Sequence, residues 1–358
     1  MAAILHVISG LGVGGAETML VRLAIGLQRR GHPQRVVSLN GRGVLADVLE
    51  RGGVPVTDIA VHSIKGAFAG LWRLQRVIDE MAPDVVQGWM YHGNLAATFA
   101  HFMASRTAMR SLYWNLRSSN MDGARYGNII RWSARLSRLA DCIIVNSQAG
   151  ASFHIAQRFD AGRFEIVRNG IDTDKFRPAE VARSELRAEY KLHDNVVLAI
   201  HVARVDPMKD HATFLRAMQA LPHIQGLLVG AGTEALSLPA NVRAIGLHAD
   251  VERFYPMADI VVSSSVYGEG FSNTIAEGMS AALVPVATDV GDAGLIVGDA
   301  GRIVPPGDAT ALAAALADIA ALAPSRRAAL GAAARRRIVD TFAIDAAVTN
   351  YEKLYLRP

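Results

Sequence analysis

Two stretches in the second half of the chain place charged side chains where they could work on a polyanion. In "VARVDPMKDHATFLRA", Arg204 and Lys209 stand five residues apart in a loop that follows the apolar run "VVLAIH" and leads into a helical pattern. An arginine forks across two oxygens and a lysine acts as a compact point charge, so beside a helix N-terminus the pair suits a bound diphosphate. In "SSSVYGEGFSNTIAEGMS", which continues the run "DIVVSSS", Glu269 and Glu277 have seven residues between them. Glu277 falls in a helical segment and Glu269 in the turn before it, where Gly268 and Gly270 allow the backbone to approach a ligand closely. A carboxylate only accepts hydrogen bonds, which fits hydroxyl groups and not phosphates. Two such groups around a helix start would hold two sets of hydroxyls, with the N–H groups of Phe271, Ser272, Asn273 and Thr274 facing an anionic link between them. Taken singly, either glutamate is also what an ordinary helix carries in its first turns.

A third stretch, "GLGVGG", puts Gly10, Gly12 and Gly15 in the G-x-G-x-x-G pattern between a strand-like run and a helical one. That pattern lets a backbone approach a pyrophosphate at a helix N-terminus, and it raises a dinucleotide-dependent oxidoreductase as one reading. The reading also requires an acid about 20 residues on, to hold a ribose hydroxyl. The next run, "QRVVSLN", ends at Asn40 with Arg42 beyond it, so the acid is missing. An arginine there suits only a phosphorylated dinucleotide.

These loops need elements to hold them. Strand-like runs alternate with amphipathic helical segments: "ILHVISG", "RVVSLN", "VPVTDIAV", "DVVQGW" and "DCIIVNS", then "VVLAIHVAR", "GLLVGAG", "VRAIG", "DIVVSSS", "LVPVATD" and "GRIVPP". Such alternation predicts an α/β protein with doubly wound parallel sheets, and two series of it predict two Rossmann-like domains. The turn-rich "VRNGIDTDKFRPAE" is the expected hinge, giving an N-terminal domain over 1–170 and a C-terminal one over 171–335. Ligands of open parallel sheets sit beyond the carboxyl ends of strands, so two facing domains are expected to share a cleft.

Bulk properties narrow the class. The 358 residues suffice for two cores, and 51% apolar with 20% charged residues describes a globular chain without extended disorder. A single cysteine, Cys142, forms no intrachain disulfide, and no apolar run reaches about 20 residues, so the expectation is a cytoplasmic enzyme without a membrane span. No nucleic-acid partner is expected. Residues 1–175 hold 20 Lys plus Arg against 13 acids, while the remainder holds 17 against 20. In the basic half, "RYGNIIRWSARLSRLA" sets Arg131, Arg135 and Arg138 at helical spacing, a face that suits an anionic membrane, a phosphorylated acceptor or plain solvent. Trp72, Trp89, Trp114 and Trp132 read as packing residues.

The order of the motifs carries a resemblance. "GLGVGGAE", "RNGID", "RVDPMKD", "LLVGAGTE", "GLHADVERFYPMADIVVSSSVYGEGFSNTIAEGMSAALVPVATDVG" and "GRIVPPGD" follow one another as in glycosyltransferase family 4, and the likeness is densest over about residues 165–310. Enzymes of that family are retaining transferases with the two-Rossmann-domain, or GT-B, architecture. The resemblance implies a nucleotide-sugar donor, UDP- or GDP-linked, and a glycan or lipid-linked, phosphate-bearing acceptor in bacterial-type cell-surface polysaccharide synthesis. It implies neither a metal nor another cofactor.

Residue by residue, the resemblance gives Arg204 and Lys209 to the donor diphosphate, Glu269 to the transferred sugar and Glu277 to the ribose hydroxyls. Gly14 and Gly15 would face the nucleotide sugar, and Gly246 and Leu247 would lie near the base through backbone groups. The C-terminal segment 336–358 would cross back to the N-terminal domain. One departure stands out: relatives carry histidines after the fourth strand, where "VVQGWMYHGNL" has Gln87 and Trp89, with His92 three residues later. His92 is either an acceptor-side contact or a helix cap, and Arg117 in "WNLRSSN" either an acceptor-phosphate contact or a surface arginine. Location at the inner face of the cytoplasmic membrane would follow from a lipid-linked acceptor. A GT-B epimerase or sugar phosphorylase keeps the fold and changes the reaction.

Overall fold

The computed structural model describes residues 1–12, 14–59, 64–104, 111–119 and 123–357, which divide into two units: Met1–Gly170 with Ile344–Pro358, and Ile171–Ala343. The first unit runs β1 (Ile4–Ile8), α1 (Gly15–Arg29), β2 (Gln34–Ser38), α2 (Ala46–Arg51), β3 (Val56–Asp58), α3 (Ile64–Met81), β4 (Val85–Trp89), α4 (Met90–Met103), β5 (Ser111–Leu116), α5 (Gly123–Leu136), β6 (Cys142–Val145), α6 (Gln148–Ala156) and β7 (Phe164–Ile166). All its strand pairs are parallel, in the order β3-β2-β1-β4-β5-β6-β7. Helices cover both faces of such a sheet, which is why β1, β4 and β6 are buried along their whole length. β7 is absent from the runs picked out in the sequence, because three half-buried residues carry no readable period. The last two residues of "VPVTDIAV" lie outside the described residues.

The second unit runs α7 (Glu180–Glu189), β8 (Leu198–Val202), α8 (His211–Gln219), β9 (Gln225–Val229), β10 (Val242–Ala244), β11 (Ile260–Ser263), α9 (Asn273–Ser280), β12 (Val284–Thr288), α10 (Ala293–Val297), β13 (Arg302–Val304), α11 (Ala309–Ala320) and α12 (Pro324–Phe342). Its six-stranded sheet has the order β10-β9-β8-β11-β12-β13, again all parallel. Both sheets therefore reverse direction of winding once, between β1 and β4 and between β8 and β11. At such a switch point the loops leaving the two neighbouring strands diverge and leave room for a ligand.

The last helix, α13 (Ile344–Tyr355), belongs to the first unit. Gly26 of α1 admits it, since a Cβ there would fall 2.7 Å from Val348 Cγ2. Val348, Tyr351, Leu354 and Tyr355 are buried, and Arg30 and His32 hold Glu352 at 2.8 and 2.9 Å. Tyr355 donates to Gln87 Oε1 at 2.6 Å, and Tyr113 donates to the Leu354 carbonyl at 3.0 Å. Of the four tryptophans only Trp89 and Trp114 pack as expected; Trp72 and Trp132 are 61% and 60% exposed. Their helices offer the core other residues, and each indole falls on the outer side.

Two buried histidines make the first unit acid-sensitive. His6 Nδ1 accepts from Trp89 Nε1 at 3.1 Å, which leaves Nε2–H to donate to Gln34 Oε1 at 2.9 Å. His154 donates through Nδ1 to the Gly150 carbonyl at 2.7 Å, and its Nε2 accepts from the Tyr91 hydroxyl at 2.8 Å. Each ring is neutral and has one nitrogen that must stay unprotonated, and burial pushes both pKa values down to about 4. In the unfolded chain both return toward 6.5, so the unfolded state binds more protons between those values. Stability is whole above pH 6.5 and is lost as pH falls toward 4. At pH 5 each histidine should cost about 2 kcal/mol relative to neutral pH. Unfolding midpoints measured from pH 7 to 4.5 should fall in wild type and fall less in His154→Gln; equal slopes would refute the assignment.

Candidate active site

The strongest cluster sits at the β8/β11 switch point of the second unit. After β8 the backbone ties itself to the end of β9 and the loop beyond, with Ala203 N donating to Val229 O and Val205 N to Ala231 O at 2.9 and 2.8 Å. Asp206 then caps a 3-10 turn, Pro207–Lys209, by accepting from Met208 N at 3.0 Å, and it also pairs with Arg204 at 2.9 Å. Asp210 caps α8 with φ +44°, a strained conformation for a residue with a side chain. Behind this turn Ser264 Oγ lies 2.9 and 3.0 Å from the Lys209 and Asp210 carbonyls and 3.0 Å from His201 Nε2. Burial, followed by the charges of His211 and Lys209, pushes the His201 pKa well below the usual imidazole range, so it is a neutral strut.

Lys209 and Glu269, 60 residues apart, meet at this point. Lys209 Nζ donates to Glu269 Oε1, and Ser265 Oγ donates to the same oxygen at 3.0 Å. Both side chains are largely buried, at 18% and 12% exposure, which preserves the charge interaction that water would screen. Arg204 stays 62% exposed at the mouth. Gly291, at φ +65°, packs on the other side of the turn, where a Cβ would come 2.4 Å from the Glu269 carbonyl and 2.6 Å from that of Gly270. Gly268, at φ +82°, turns the chain ahead of Glu269.

α9 follows without a side-chain cap. Ser272 holds the N-cap position but makes no cap hydrogen bond, and its buried Oγ has no partner. The helix end thus retains its attraction for an anion, with Asn273 and Thr274 in its first turn. Phe271 spends its side chain in the core, edge-on to Phe342 at 5.4 Å, and offers only its backbone. One turn into α9 lies Glu277, 8% exposed, with the Tyr255 hydroxyl 3.4 Å from its Oε2.

Of the two residues expected near the base, Gly246 is bonded within its own unit and Leu247 is not buried. Gly246 N donates to Thr233 Oγ1 at 3.2 Å and Gly246 O accepts from Gly230 N at 2.7 Å, so both serve the fold. The Glu234 carboxylate lies against Gly246, 1.9 Å from where a Cβ would stand. Leu247 is 70% exposed and remains available.

In the first unit Gly14 is the N-cap of α1 and Gly15 its first residue. The Glu17 carboxylate folds back to this end, and a Cβ on Gly14 would fall 2.3 Å from its Oε2. His92 lies exposed in the first turn of α4, beyond the β1/β4 switch point, and does not cap the helix, whose N-cap is Trp89. Gln87 and Trp89 are buried and bonded to Tyr355 and His6. Arg117 is not a surface arginine, and its buried Nε has no hydrogen-bond partner. It is 9% exposed and gives NH1 to Val167 O and Asn169 Oδ1, at 3.2 and 2.8 Å, and NH2 to the Tyr351 hydroxyl at 2.6 Å.

Ser264, Ser265, His201 and Gly291 escaped the sequence reading. The three serines closing "DIVVSSS" were the available signal, since small polar residues at a strand's carboxyl end face the ligand side. Among the described residues no group of three or more His, Cys, Asp and Glu side chains is placed to hold a metal. The chain's Asp-x-Asp pattern, Asp172-Thr173-Asp174, is a turn in which Asp172 Oδ1 accepts from Asp174 N and Lys175 N at 3.2 and 2.9 Å. A cavity of about 450 Å³ opens at the opposite end of this sheet, lined by Arg183, Asp259 and Arg327. Its arginine Arg183 is spent on Asp259 and on the carbonyls of Pro256 and Ala258, so it contributes packing and not chemistry.

Two Rossmann-like units of parallel sheet, each with one switch point, match the GT-B architecture of glycosyltransferases. Sequence models agree in both units: "Glycosyltransferase Family 4" matches residues 13–175 and "Glycosyl transferases group 1" matches residues 196–321. The chain belongs to glycosyltransferase family 4. It is 25% identical to the putative glycosyltransferase EpsD of Bacillus subtilis over 308 residues, 77% of each chain. It is 28% identical to the D-inositol 3-phosphate glycosyltransferase of Streptomyces avermitilis over 243 residues, covering 60% of this chain and 52% of that one. Among solved structures, Anabaena Alr3699/HepE in complex with UDP and glucose matches with a TM-score of 0.86 at 20% identity over 99% of both chains. Sucrose-phosphate synthase from Thermosynechococcus elongatus matches with a TM-score of 0.83 at 18% identity, over 99% of this chain and 98% of that one.

No helix among the described residues is long and apolar enough to cross a membrane.

Proposed function

We propose that this chain transfers a sugar, with retention of configuration and without a metal, from a UDP- or GDP-sugar to a glycan or lipid-linked acceptor bearing phosphate, in cell-surface polysaccharide synthesis. The observation that carries the donor half is the meeting of Lys209, Glu269 and the uncapped α9 at the β8/β11 switch point. The lysine has three N–H donors and spends one on Glu269, so two can reach diphosphate oxygens. As the bond from sugar to phosphate breaks, negative charge grows on the leaving diphosphate. Lys209, Arg204 and the α9 N-terminus stabilise that charge more in the transition state than in the bound donor.

Positive charge grows at the anomeric carbon, beside Glu269. Its carboxylate accepts from sugar hydroxyls while Ser265 fixes one of its oxygens. Glu277, farther into α9, takes the ribose hydroxyls. Retention follows from attack on the face that the diphosphate leaves, with a donor phosphate oxygen receiving the acceptor's proton. The UDP and glucose of the HepE complex support a nucleotide-sugar donor. The lipopolysaccharide outer core galactosyltransferase WaaB, similar in fold at a TM-score of 0.69, supports a surface-glycan acceptor.

The test is a thermal-shift screen against UDP, GDP, ADP, their sugar conjugates and NAD(P), with and without EDTA. A ligand at 100 times its dissociation constant adds about 2.7 kcal/mol of stability. One nucleoside diphosphate series should stabilise wild type regardless of EDTA and should fail to stabilise Glu277→Ala. Stabilisation by NAD(P) alone, or a shift abolished by EDTA, would overturn the reading.

A further inference from the structure

The outer surface of α4 does not match its composition. From Met90 to Met103 the helix contains no Asp, Glu, Lys or Arg, as expected of a helix covered on all sides. Yet Phe99, Phe102 and Met103 are 49%, 62% and 39% exposed. With Leu95 they follow the spacing of three and four residues that makes one continuous stripe. α4 touches α3 and α5, and both present aromatic rings outward. Phe68 and Trp72 stand one turn apart on α3, and Trp132 stands on α5.

Arginines predominate among the charges around this stripe. Arg73 and Arg76 of α3, Arg131 and Arg135 of α5, and Arg138 just beyond are exposed, and the Arg135 guanidinium lies 5.3 Å from the Trp132 ring centre. Residues 90–104 and 123–140 contain no Asp or Glu at all. Among the described residues the acids of this face are Asp79 and Glu80, in the last turn of α3.

We propose that this face of the first unit docks on an anionic lipid bilayer. The α4 stripe, Trp72 and Trp132 enter the boundary between headgroups and acyl chains, and the arginines meet lipid phosphates. An uncharged aromatic centre with a border in which arginines outnumber acids matches that two-part surface. A second copy of the chain does not match it, because a two-fold interface would set these arginines against themselves. The inference goes beyond the sugar-transfer reading and does not depend on the donor chemistry of the second unit.

Flotation of the full chain with phosphatidylcholine vesicles, with and without phosphatidylglycerol, tests it in the absence of donor and acceptor. Binding is expected only with phosphatidylglycerol, with a blue shift of tryptophan emission and quenching by brominated lipid, both from Trp72 and Trp132 because Trp89 and Trp114 are already buried. Arg131→Gln with Arg135→Gln should weaken binding about fivefold per arginine. Phe99→Ser with Phe102→Ser should abolish binding and quenching while leaving the melting temperature in place, since both rings are exposed. No flotation at low salt would overturn the proposal, as would binding insensitive to the phenylalanine pair. So would a dimer, seen by light scattering, that the phenylalanine pair converts to monomer, or saturable binding of an acidic protein in place of lipid. Transfer to a short water-soluble acceptor is read separately, so failure on vesicles leaves the sugar-transfer reading standing.

Discussion

Lys209→Ala is expected to lower kcat by a factor of roughly 100 to 1000, the scale of losing one preorganised donor to a developing anion. The side chain is fixed before any substrate arrives: Glu269 holds its ammonium, and Ser264 and His201 brace its backbone from behind. A group positioned in this way needs no reorganisation as charge moves onto the leaving diphosphate. Initial rates against donor concentration check it. A rise in KM with unchanged kcat would mean that the lysine binds donor and transition state equally, and would remove it from the chemical step. The melting temperature of the variant serves as a control, since the change also leaves the largely buried Glu269 without its cation.

Tyr351→Ala is expected to cost about 4 kcal/mol in the first unit, the range for emptying a buried aromatic site and leaving donors unpaired. Tyr351 has 0% exposure, and its hydroxyl accepts from Asn115 Nδ2 at 2.7 Å and Arg117 NH2 at 2.6 Å. Its ring centre lies 5.8 Å from the Arg117 guanidinium. Removing the side chain strands a buried cation as well as opening a cavity, so Tyr351→Phe, which keeps the volume, should cost only about 1 to 2 kcal/mol. Hydrogen exchange resolved along the chain is the suitable measurement, because a two-unit protein does not unfold in one step. Protection should fall in α13, β4 and β5 and hold in β8 to β13. Equal losses in both units, or none in the first, would show that α13 is not held in this way.

Arg117 and Gly246 show where local reading stops. Each stands in a loop after a strand, where ligand contacts belong, and each spends most of its polar groups internally. Arg117 meets Tyr351 across 234 residues of chain, and Gly246 meets Thr233 and Gly230 through a turn whose closure no spacing rule describes. α4 shows the converse: its uncharged sequence reads as a core helix, and only the neighbouring helices reveal that one stripe is left uncovered.

The sequence by itself determined the two series of alternating strands and helices, and the loops in which Arg204, Lys209, Glu269 and Glu277 stand. Those features depend on periods of two and 3.6 residues and on glycines and caps, all of which act within a few residues. Only the tertiary structure decided which of those side chains meet, which are consumed by the fold and which face outward. Strand order in a parallel sheet brings together groups tens to hundreds of residues apart, and burial then converts a chance neighbour into an obligatory partner, because an unpaired charge or donor away from water costs more than the contact itself gains.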